Sequence, residues 1–91
     1  MTKQEHLLVV LMEEAAEVSQ AVSKILRFGQ TKDNTDRLIS ELNDYQAAIY
    51  MLQDEAILPE TYIDSNKIIE KKNKVKFYMG DDKWNLIDQT S

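Results

Sequence analysis

At 91 residues with no cysteine, the chain holds one domain at most and has no parts for a disulfide framework, a thiolate metal site or a cysteine nucleophile. Sixteen acidic against eleven basic residues give a formal charge of −5, which disfavours a nucleic-acid polymer but admits a small phosphorylated ligand if cations sit between it and the acids. No apolar run approaches the roughly 20 residues that span a bilayer, and the N-terminus lacks a signal-peptide layout, so a soluble, cytoplasmic protein with no membrane partner is expected.

Two glycines and one proline leave room for long elements, and the Ala, Leu, Glu, Lys and Gln content favours helix. Apolar residues follow helical spacing from about Thr2 to Phe28, with Gly29 placed as a stop. The polar stretch Gln30 to Asp36 reads as a connection, with Asp33, Asn34 or Thr35 available to cap a second helix over about Asn34 to Ala56. Pro59 suits the first turn of a third helix, running to about Tyr78 with Gly80 as its stop. Residues 1–80 form the expected domain; the tail from 81 to 91 has no clear period, although Trp84, Leu86 and Ile87 would suit docking on a neighbour. The expected fold is all-α: an antiparallel bundle of about three helices per chain. A core this small makes self-association a natural expectation.

With Leu11 at zero and about 100° per residue, Leu7, Leu11, Ala15, Val18, Val22 and Ile25 cluster within about 40° of it. Glu14 falls at about −60°, inside that apolar arc, and Glu17 at its edge, while Glu13 points farther out. The second helix repeats the layout: Leu38, Leu42, Tyr45, Ile49, Leu52 and Ala56 make the stripe, with Glu41 at about −60° and Asp44 at about −120°. Ala21 and Ala48 each follow the second acid by four residues and leave room beside the carboxylates. Antiparallel packing of the stripes brings Glu14, Glu17, Glu41 and Asp44 into one layer, where repulsion and desolvation call for protonation or a cation. Magnesium, which takes oxygen ligands and keeps waters, suits such a set; zinc does not, since His6 is the only imidazole.

The segments Glu13-Glu14-Ala15-Ala16-Glu17 and Glu41-Leu42-Asn43-Asp44, with Lys24-Ile25-Leu26-Arg27-Phe28-Gly29 between them and the apolar run Tyr45 to Leu52 after them, carry an ExxE then ExxD pattern. It resembles the signature of the MazG-like all-α nucleoside triphosphate pyrophosphohydrolases, especially the short forms of phages and bacteria. The likeness covers about Leu7 to Leu52. It implies a helical homodimer or homotetramer that binds Mg2+, with Mn2+ as a substitute, and cleaves a nucleoside triphosphate between the α and β phosphates. It matches Glu14, Glu17, Glu41 and Asp44 to metal ligands and Glu13 to the leading acid of the paired glutamates, all five in the catalytic cluster.

Lys67, Lys71 and Lys74 share one face of the third helix, which suits contact with the β and γ phosphates as well as it suits a solvated lysine face. Lys24 and Arg27 read better as structural residues, His6 as a surface histidine, Tyr45 as packing and Asn66 as an exposed helix asparagine. With two separated glycines and one histidine, a P-loop, a dinucleotide fingerprint and a Ser-His-Asp triad all lack their parts. The competing expectation is a non-catalytic helical oligomer or protein-interaction module that keeps the fold.

Overall fold

The computed structural model describes residues 1–80, so Trp84, Leu86, Ile87 and the rest of the tail lie outside the described residues. Three helices follow in chain order, α1 (Lys3–Phe28), α2 (Lys32–Asp54) and α3 (Ser65–Met79), and the described residues contain no strand. The all-helical expectation holds. The chain divides into two compact units, Met1–Glu60 and the segment from Thr61 onward.

In the first unit α1 starts on a capping box: the Thr2 hydroxyl accepts from the Glu5 amide at 3.0 Å, and the Glu5 carboxylate accepts from the Thr2 amide at 3.2 Å. It stops at Gly29, whose φ of 98° is open to glycine at little steric cost and whose amide reaches the Ile25 carbonyl at 2.8 Å. The connection is shorter than the polar composition suggests. Thr31 is the N-cap of α2, accepting from the Asn34 amide at 3.2 Å, and Asn34 turns back to donate to the Gly29 carbonyl at 2.9 Å. The helix therefore begins at Lys32, two residues before the expected Asn34. Charged residues of its first turns pair within the helix, Lys32 to Asp36 at 2.6 Å, instead of forming a loop.

At its far end α2 closes on Ala56 at φ 56°, with the Ile57 amide on the Leu52 carbonyl (2.9 Å) and the Ala56 amide on that of Gln53 (3.0 Å). This is a Schellman closure with alanine where glycine is usual. Ala56 is thus the exposed terminator of the helix and not a member of its buried stripe. The third helix also starts later than Pro59. Asp64 caps it, its carboxylate accepting from the Asn66 and Lys67 amides at 3.0 and 3.2 Å, which satisfies two donors that proline at the first position would not have satisfied.

α1 and α2 run antiparallel, as the ion pair between Lys3 near the start of α1 and Glu55 just past the end of α2 (2.8 Å) records. Their buried core is Leu7, Ala21, Ala48, Ile49 and Leu52. Relative to the expected stripes, the seam is turned roughly 50° on α1 toward the acids. Ala21 (0 % exposed) and Ala48 (3 %) sit in it, while Ala15, Val22 and Leu42 are exposed. Two small side chains let the backbones approach closely, and close packing recovers more dispersion contact than larger residues held farther apart.

Candidate functional site

The turn of the seam decides where the acids stand. Glu14 on α1 and Glu41 on α2 are both half-buried at its edge, and Asp44 lies one turn along α2 with its side chain exposed. One carboxylate oxygen from each of these residues comes within 4.8 Å of the other two. Capping fixes both helices at the connection, and the alanines hold them close, so the three donors come from rigid elements and not from a loop.

The electrostatics match that geometry. The Glu14 carboxyl is held above its ordinary 4.5, first by partial burial and then by the charges of Asp44, Glu41, Glu17 and Glu13. Both causes disfavour the charged form of Glu14, and a divalent cation in the same place would offset the repulsion.

Glu17 stands outside the trio. Its Oε2 lies 3.9 Å from the Arg37 guanidinium, a half-exposed cross-helix pair worth about 0–1 kcal/mol. Arg37 was not among the residues singled out by sequence, although its place four residues before Glu41 puts it on the acid side of α2. Glu13 is exposed and contributes charge from the rim. Arg27 stacks over the neighbouring Phe28 ring at 5.1 Å, in line with a structural role, and His6 is exposed. Lys24 and Arg27, with Ser19, Gln20 and Ser23, line an open groove of about 320 Å³ along α1. In the second unit, Lys67, Lys71 and Lys74 share one face of α3 and line, with Glu70, a shallow depression of about 210 Å³. Asn66 is exposed, its amide serving the Asp64 cap.

The donor set fits magnesium or manganese. All three ligands are hard carboxylate oxygens, with no sulfur or imidazole among them. In an octahedron with bonds of about 2.0–2.1 Å, neighbouring oxygens lie about 3 Å apart and opposite ones about 4.2 Å, so a cation requires these oxygens to draw in by less than about 2 Å. Rotation of Glu and Asp side chains covers that distance, and the remaining positions would be left to water or a ligand. In comparisons with family models, curated proteins and solved structures, nothing matches this chain.

Proposed function

We propose that this chain is a Mg2+-dependent hydrolase of nucleoside triphosphates that cleaves between the α and β phosphates, releasing the monophosphate and pyrophosphate. The observation that carries the reading is the convergence of Glu14, Glu41 and Asp44, from two helices, on one point at the edge of the apolar seam. The spacing of those acids in the ExxE and ExxD segments supports the same assignment.

Glu14, Glu41 and Asp44 would hold the ion, with Glu17, now 3.9 Å from Arg37, as a candidate fourth ligand. Bound there, the ion would supply positive charge against the phosphate oxygens and a water of lowered pKa. The chain's own part is positional. Its carboxylates fix where that charge would sit, and a carboxylate not used as a ligand would accept the proton from water. Attack of water at the α phosphorus breaks the bond to the bridging oxygen, and pyrophosphate leaves. No covalent nucleophile is needed, because displacement at phosphorus depends mainly on placing charges.

The test is pyrophosphate release from a panel of NTPs and dNTPs with Mg2+ or Mn2+, repeated with Glu41→Gln. Release that depends on both the metal and Glu41 supports the hydrolase. Silence across the panel with metal present favours the non-catalytic helical module instead.

A further inference from the structure

The α1/α2 hairpin has two unlike sides. In an antiparallel pair, equal angular offsets on the two helices point to the same side, and the side from about 0° to +100° contains no charged residue of α1 or α2. The polar contacts between the helices fall on the other: Lys3 with Glu55, Arg37 with Glu17, and the acid trio.

On that side Arg37 stands among the acids themselves. With Leu38 at zero it falls at about −100°, between Glu41 and Asp44 in angle and one turn, about 6 Å, before Glu41 along α2. Its half-exposed guanidinium lies 3.9 Å from Glu17 and has no nearer acidic partner among the described residues. That distance is too long for a hydrogen bond, so the contact leaves the five N–H donors of the fork uncommitted. Glu17 in turn stays out of the group that Glu14, Glu41 and Asp44 form within 4.8 Å.

We infer that Arg37 is a binding residue for linked phosphates, released to them by an exchange of partners at Glu17. In the metal-free chain Glu17 and Arg37 offset each other's charge. When Glu17 turns to a cation at the trio, the guanidinium loses its counter-charge, and an anionic oxygen of the ligand takes the place of Glu17 on it. Two arguments select that ligand. A guanidinium beside a cation site opposes a cation that arrives alone, so the arrangement suits a ligand that brings negative charge with the metal. Arg37 and Glu41 also stand a turn apart, so one ligand meets both the cation and the fork only if it carries anionic oxygens on more than one group, as linked phosphates do. The inference rests on the hydrolase reading and adds to it a residue on the substrate side.

Calorimetric titration of the full chain with Mg2+, and then with inorganic tripolyphosphate at saturating Mg2+, tests the exchange without reference to turnover. Arg37→Gln should move the two affinities in opposite directions. Mg2+ alone binds more tightly, by up to about fivefold, the ceiling for a half-exposed pair. Tripolyphosphate binds about tenfold more weakly, the low end for hydrogen bonds between charged groups. Arg37→Lys keeps the charge without the fork, and should leave Mg2+ binding as it was while recovering part of the tripolyphosphate affinity. With Glu17→Gln already in place, Arg37→Gln should lose most of its effect on Mg2+, because that effect acts through Glu17. Lys3→Gln removes the same charge about 16 Å from Glu14 along α1 and should move neither affinity. Anything other than opposite shifts in Arg37→Gln, with Glu14→Gln still weakening Mg2+ binding, overturns the exchange and leaves the metal reading standing. Mg2+ binding that is indifferent to both Glu14→Gln and Asp44→Asn overturns the two together.

Discussion

Binding of Mg2+ to the acid trio should appear as stability before any substrate is tried. Glu14 is the reporter, because its carboxyl is raised from 4.5 by burial and by four neighbouring carboxylates. A group whose folded value exceeds its unfolded one binds more protons when folded, so stability falls as pH rises through the window between the two. Its contribution is fully present below 4.5 and lost once the pH passes the raised folded value. Glu14 therefore contributes a downward slope of stability with pH just above 4.5, and Glu14→Gln removes that contribution. A divalent cation among these carboxylates would offset their repulsion in the charged state. For a dissociation constant on the order of 1 mM, 10 mM Mg2+ contributes RT ln 11, about 1.4 kcal/mol, which raises the Tm of a domain this size by about 6–11 °C. Thermal unfolding followed by circular dichroism, with and without Mg2+ and at matched ionic strength, reads both effects. Equal Mg2+ shifts in the unaltered chain, Glu14→Gln and Asp44→Asn would show that the ion acts on general charge and would refute the site.

Further outcomes follow from the packing. Leu52, 2 % exposed at the centre of the seam, should cost about 2–5 kcal/mol as Leu52→Ala in urea unfolding. Ala56 holds φ at 56°, so Ala56→Gly should stabilise by about 0.5 kcal/mol, the relief of left-handed backbone less the added freedom of the unfolded chain. Thr31→Ala removes the hydroxyl that caps α2 and should lower stability by about 1 kcal/mol, with earlier loss of exchange protection at the Asn34 amide. Glu41→Gln should abolish metal-dependent pyrophosphate release while leaving the helical content intact.

Helix number and type were legible because period and stops agree: apolar spacing carries α1 and α2, and Gly29 and Gly80 end α1 and α3 with positive φ. The starts were less so. Thr31 and Asp64 compete as caps with equally plausible neighbours, and only the folded backbone decides which oxygen reaches the free amides. The pairing of Glu14 with Glu41 and Asp44 was readable from their matched offsets beside two apolar stripes. The separation of Glu17 was not, since its contact depends on Arg37 from the facing helix.

The rotation of the seam links these results. Hydrophobicity alone centres the contact on Leu11 and Leu38, but the residues the hairpin buries are Leu7, Ala21, Ala48, Ile49 and Leu52. That choice has two consequences from one movement. It carries Glu14 and Glu41 into the edge of the contact, where partial burial and the neighbouring carboxylates raise the Glu14 carboxyl above its ordinary value. It also turns Leu8, Met12, Leu26 and Ile39 out of the hairpin, onto the side without charge. Replacing Ala21 by a larger apolar residue should force the helices apart and turn the seam back toward Leu11. The expected result is weaker Mg2+ stabilisation, because the acids separate. An unchanged Mg2+ shift would mean that the alanines do not set where the acids stand.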